Sequence, residues 1–301
     1  SYNNSGKTQV IRVPRYTTLT INSGRSITCP DWDGSTGGVV AVEATQTVTI
    51  NGSINANGKG FRGGVVEQNT VTPGTPSTYR TTSNAEGAEK GESIAGPASI
   101  LGNGAFGRGA PANGGGGGNA HNGGGGGGSN AGSGTWTGNG NPDNSNANWT
   151  TAWNLESVGF SSTTSPGGGR GGYSWSSNGR NPITTAPGNA GWGGDNRQNS
   201  GGFGGRNLDN ASTTRVFLGG GGGAGDSNNN TGTSGADGGG IVFVVAKGNI
   251  GGTGSVTANG DTPPNTSSCT TCYGDAAGGG GGGGSVVMHS LTGSLSTISI
   301  S

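Results

Sequence analysis

The chain has 301 residues, 73 of them glycine, with 15 basic and 15 acidic side chains and a formal net charge of zero. Glycine loses more conformational freedom on folding than any other residue and brings no side chain to bury, which argues against an ordinary enzyme core. Neutrality argues against nucleic-acid binding, which needs a positive excess to neutralise phosphate, and no apolar run approaches the roughly 20 residues of a membrane-spanning helix.

Residues 1–66 read as N-terminal strand repeats. Of the 42 Leu, Ile, Val and Phe residues, 15 lie here, 13 lie in 238–301, and the long stretch between holds only 14. That uneven spread argues against disorder. Period-two alternation predicts strands at Ile11 and Val13, at Leu19 and Ile21, and at Val40, Val42 and Ala44. The strand-rich termini, 8–13 and 294–301, would be exposed edges in a lone monomer, so Thr8, Val10, Ile11 and Val13, or in second place the C-terminal strand, are the candidate assembly strand, completing the sheet of a neighbouring copy. Asp31-Trp32-Asp33-Gly34 has the spacing that opens a calcium loop, which makes Asp31 and Asp33 metal candidates. Ser35, Thr36 and two glycines follow where further ligands would stand, so a plain turn competes.

Residues 67–237 form a glycine-rich region with runs at 114–118, 123–128 and 219–223. Such tracts can adopt the extended threefold polyglycine-II helix, which rises about 3.1 Å per residue and has no internal hydrogen bonds. Packed side by side, the tracts would satisfy each other's backbone groups; the competing reading is flexible linkers. Gly58-Lys59-Gly60-Phe61-Arg62-Gly63 and Gly102-Asn103-Gly104-Ala105-Phe106-Gly107 match G-x-G-x-x-G. Neither leads into a helix, as a dinucleotide site requires. Trp136, Trp149, Trp153, Trp175 and Trp192 either cover the glycine segments or, if exposed, make a recognition surface for sugar or protein. Arginines recur beside aromatics and glycines, as at Phe61-Arg62 and Phe106-Gly107-Arg108, where stacking over a glycine bundle is expected. Asp226 and Asp237 flank an Asn-rich turn, a further oxygen-rich spot that also reads as a turn. His121 and His289 stand apart with no zinc spacing, and no catalytic residue or cofactor is assigned.

Residues 238–301 read as C-terminal strand repeats packing with 1–66, the whole forming one composite domain. Residues 240–262 align without a gap to 38–60 at an offset of 202, matching Val40 with Val242, Val42 with Val244, Ile54 with Val256 and Asn57 with Asn259. A looser copy at an offset of 29 matches Ile11, Val13, Leu19 and Ile21 with Val40, Val42, Val48 and Ile50. A partial copy opens at Ser285, after the glycine run 278–284. Units that bury a face on their neighbours in this way predict stacked β-structure. Cys29 and the pair Cys269 and Cys272 fall at related places in the repeat, so a disulfide from Cys29 to either would staple the two ends. The fold class expected is all-β, a stacked sandwich or β-helix-like sheet with a polyglycine-II bundle and essentially no α-helix.

Thr47-Val48-Thr49-Ile50-Asn51-Gly52-Ser53-Ile54-Asn55-Ala56-Asn57-Gly58, followed by poly-glycine runs, resembles glycine-rich surface proteins of bacteria. Through the runs at 114–118, 123–128 and 278–284 the chain is also similar to the polyglycine-sandwich adhesins that tip phage long tail fibres. In that family loops between glycine helices form a receptor-binding tip, which implies recognition loops at 136–160 and 173–200. The leading expectation is a non-enzymatic, secreted structural protein whose partner is itself, a subunit of a surface filament, sheath or fibre. It opens at Ser1 with no signal-like segment, as a processed mature chain would, and its N-x-S/T triplets suit secretion. The alternative is a receptor-binding adhesin whose partner is a cell-surface receptor or glycan, and an ice-binding protein ranks third. Neither nucleic acid nor membrane insertion is expected.

Overall fold

A computed structural model describes residues 8–68, 78, 81–100, 104–119, 123–130, 201–205, 208, 215–227, 230–265 and 276–301. Strands dominate, all the sheets are parallel, and the described residues contain no α-helix beyond a 3₁₀ turn at Ala98–Ile100.

The chain visits three sheets in turn and repeats the circuit. The first circuit comprises β1 (Arg15–Tyr16), β2 (Leu19–Ile21) and β3 (Ser26–Ile27); the second β4 (Val39–Ala44), β5 (Val48–Ile50) and β6 (Ser53–Asn55). The third holds β7 (Ile241–Ala246), β8 (Ile250–Gly251) and β9 (Ser255–Thr257), and the last β10 (Ser285–Ser290) and β11 (Ser299–Ile300). Hydrogen bonding stacks them as β1-β4-β7-β10, β2-β5-β8 and β3-β6-β9-β11. Leu295 adds a parallel bridge to Ile250, carrying the middle stack into the fourth circuit.

Between the second and third circuits the register reproduces the aligned repeat. Val40 stands opposite Val242, Val42 opposite Val244, Val48 opposite Ile250 and Ile54 opposite Val256. These like-on-like pairs are the core: with Ile21, Ile50, Ala44, Ala246, Ala56 and Ala258 they lie together, almost without exposure. Alternation explains this, since successive strand side chains face opposite ways and β4 runs half-buried, buried, half-buried along its length. Asn side chains extend the stacking at the turns. Asn57 Oδ1 accepts from the Asn259 amide at 2.8 Å, and Asn249 Oδ1 accepts from the Ser294 amide at 2.9 Å.

The looser repeat needs correction. The offset of 29 holds where Leu19 faces Val48 and Ile21 faces Ile50. It is 28 where Arg15 faces Glu43, and 27 where Ser26 faces Ser53. The corner from Tyr16 to Leu19 is one residue shorter than that from Ala44 to Val48. The next corner is longer, and turns through Gly24 at φ 74° with the Arg25 amide bonded to the Asn22 carbonyl. Ile11 and Val13 therefore align with Val39 and Ala41 on the outward face, not with buried Val40 and Val42. A one-residue slip reverses which side chains face inward, and Ile11 and Val13 are 37% and 47% exposed.

The chain leaves the sheets after β6 and returns at β7, where the Gly240 amide bonds to Ala56 and the Ile241 amide to Gly38. Between these points, glycine-rich segments bond sideways to one another with a spacing of three. From segment 219–225, Gly219, Gly222 and Gly225 donate to Gly239, Ala236 and Thr233. Gly220, Gly223 and Asp226 donate to Ser129, Gly126 and Gly123, while Gly221 and Ala224 donate to Glu92 and Glu89. The same segment accepts from Phe61, Gly64 and Glu67, from Gly115 and Gly118, and from Gly279 and Gly282. Its backbone is thus satisfied on every side without a side-chain core, as buried backbone must be.

Candidate functional site

The two ends of the sheet stack concentrate what is exposed and apolar. Val10, Ile11, Val13 and Tyr16 lie at the β1 end; Leu291, Leu295 and Ile300 lie at the opposite end. Of the large apolar side chains that are strongly exposed among the described residues, only Val65 and Ile94 lie elsewhere. β1 and β10 are the outer strands of their stack, so each has one edge without a strand partner among the described residues. Such an edge is a template for pairing. The assembly candidates Thr8, Val10, Ile11 and Val13 lead into β1 and run beside β4 of the same chain. There Gln9 Nε2 donates to the Gly37 carbonyl at 3.2 Å, and the Glu43 amide donates to Pro14 at 3.1 Å. Outward side chains Ile11, Val13, Val39, Ala41, Phe243 and Val245 line an open apolar groove of about 500 Å³ along this sheet. Arg15 crosses the sheet to pair with Glu43 at 2.7 Å, raising the guanidinium pKa and lowering that of the carboxylate.

The calcium-loop candidates are used by their own turn. Asp33 Oδ1 accepts the amides of Ser35 and Thr36 at 2.8 and 2.7 Å, which holds its pKa low, the Thr36 bond contributing most. Asp31 forms an ion pair with Lys59. Asp237 accepts the Gly63 amide at 2.7 Å, and burial raises its pKa, with Asp261 and Asp31 nearby in the same sense. Asp226 does not share that environment. Its side chain is fully buried, both carboxylate oxygens lack a hydrogen-bond donor, and burial, then the charge of Glu67, push its pKa up to about 8.

Of the two arginines expected to stack on aromatics, Arg108 does so, on Phe203, whereas Arg62 forms an ion pair with Glu92 at 2.8 Å. Arg108 stacks 4.4 Å from the centroid of Phe203, both side chains nearly buried, with Arg108 Nε donating to Gly201 at 2.8 Å. Phe61 meets Trp32 edge to face at 6.1 Å. Cys29 is a half-buried free thiol whose pKa is raised chiefly by burial. Cys269 and Cys272 lie outside the described residues, as do Trp136, Trp149, Trp153, Trp175, Trp192, His121 and the loops at 136–160 and 173–200.

Set beside protein-family models, curated proteins and solved structures, the chain matches none. Its function must be argued from its own residues.

Sequence reasoning missed two features. One is the pairing of Glu67 with Asp226, which a parallel bridge brings together across 159 positions; no local motif announces it. The other is the outward facing of Ile11 and Val13, which depends on the 28-residue register and so on corner lengths.

Proposed function

We propose that the chain is a non-enzymatic extracellular structural protein, a self-assembling subunit of a surface filament, sheath or fibre. In this reading the parallel sheets are the faces of a β-helix-like stack, and the glycine segments are polyglycine-II helices. The hydrogen-bond spacing of three along 219–225 supports the second assignment, because a threefold helix presents every third amide to the same neighbour. Glycine 278–284 supports it too. A Cβ added at Gly278, Gly279, Gly281, Gly282 or Gly284 would come within 2.6 Å of a backbone atom, whereas Gly280 and Gly283 have room.

The observation that carries the function is the exposed apolar end at each extreme of the stack. Repeat architectures need polar caps to remain soluble as single molecules, and among the described residues these ends have apolar side chains and unpaired strand edges instead. The two ends differ, so they join head to tail, a contact that generates an open filament unless the rotation closes a ring. The β1 edge of one copy receives the β10 edge of the next, continuing the parallel sheet.

Negative-stain microscopy of the purified chain should give long regular filaments. Deleting residues 1–13 should abolish them, and unchanged polymers would refute the role of that segment. Discrete monomers or trimers that bind cells would favour the adhesin reading.

A further inference from the structure

Asp226 is, among the described residues, the side chain with both carboxylate oxygens buried and without a donor. Its main chain is fully used: its amide donates to the Gly123 carbonyl at 2.9 Å, and its carbonyl accepts the Gly123 amide at 3.1 Å. Its carboxylate, with 0% exposure, receives nothing. Segment 64–68 runs alongside, joined by the Glu67 amide to Gly225 at 3.1 Å and by the Ser227 amide to Glu67 at 2.8 Å. This places a second acid, Glu67, itself 8% exposed, against the first. Gln68 Nε2 donates to Gly232 at 3.2 Å, and Gln68 Oε1 is buried without a donor.

Burying an unpaired carboxylate costs several kcal/mol, and a second acid beside it raises the cost. Protonation removes the charge but leaves acceptor oxygens unfilled, a deficit that in folded proteins calls for an ion or ordered water. The ion pairs closest in sequence, Arg62 with Glu92 and Lys59 with Asp31, engage other acids. Glu89, the acid of the segment bonded to Ala224, accepts the Val65 amide at 2.8 Å. Glu67 is the charged group whose field reaches Asp226.

We infer that Asp226 and Glu67 form a binding site for a calcium-class divalent cation, tying segment 64–68 to segment 222–227 inside the glycine bundle. The donors are carboxylate oxygens, which hard cations prefer and zinc or copper do not. Calcium accepts irregular oxygen geometry more readily than magnesium, which demands a near-ideal octahedron, and this backbone-bonded site has little freedom to rearrange. Binding gives the two donor-less carboxylate oxygens of Asp226 the partner they lack and offsets the charge of the acid beside them. The site is independent of the assembly reading, since its residues lie away from the ends of the stack.

The full chain, stripped with EDTA and dialysed, is titrated with calcium chloride by calorimetry at pH 7. One calcium per chain is expected, with a rise in Tm with calcium. Asp226→Asn should abolish binding and the Tm shift, and Glu67→Gln should weaken binding at least tenfold. Asp33→Asn, in the exposed turn, should change neither. Absence of binding in the wild-type chain overturns the inference even if Asp226→Asn fails to fold. So does binding that survives Asp226→Asn, or binding lost on Asp33→Asn.

Discussion

Single glycines carry unequal weight from one run to another. At Gly223 an added Cβ would lie 1.9 Å from the Gly116 carbonyl oxygen, where the obstacle is backbone and cannot swing aside. At Gly283 it would meet nothing within 4 Å, and no positive φ stands in its way. Gly223→Ala should therefore cost about 3 kcal/mol or more as overpacking. Gly283→Ala should be neutral, or stabilise by about 0.4–1 kcal/mol by restricting the unfolded chain. Urea unfolding of both variants measures the contrast, and equal losses would remove the case for close backbone packing. Asp226 makes a pH prediction. Its pKa rises from an ordinary 3.8 to about 8 on folding, so between those values the native state holds a proton that the unfolded state has lost. Stability of the calcium-free chain should then fall as pH rises from about 4 to 8 and level off above. Asp226→Asn should flatten that slope in thermal melts taken across the range.

For the strands, register decides which side chains are structural. Val42 is 3% exposed and Val13 is 47% exposed, although the aligned repeat makes them equivalent. Val42→Thr buries a hydroxyl in an apolar stack and should cost about 1–3 kcal/mol. Val13→Thr, facing outward, should change stability by no more than about 0.5 kcal/mol. Denaturant melts of the two variants test the register of 28, and comparable losses would restore the register of 29. The strands themselves were legible because alternation and the gapless repeat are local properties. The slip was not. It arises from one residue fewer between Tyr16 and Leu19, and a comparison of apolar positions does not register the length of a polar corner.

For the whole molecule, the open ends make assembly a matter of a few side chains. Replacing Leu291, Leu295 and Ile300 with lysine together should leave the circular dichroism of the chain unchanged and stop filament growth, because charges on an edge oppose pairing. Sedimentation and negative-stain images read the outcome; filaments of normal length would refute end-to-end joining. The sequence by itself determined that the chain is strand-rich, that its two ends share a repeat, and that its glycines alternate with that repeat. These follow from composition and period-two spacing, which each segment carries alone. Only the tertiary structure decided that Gly219–Gly223 lies among six neighbouring segments, that Ile11 and Val13 face outward, and that Glu67 meets Asp226. Hydrogen bonds between backbones depend on which segments are adjacent, and glycine, with no side chain, leaves almost no mark of that choice in the sequence.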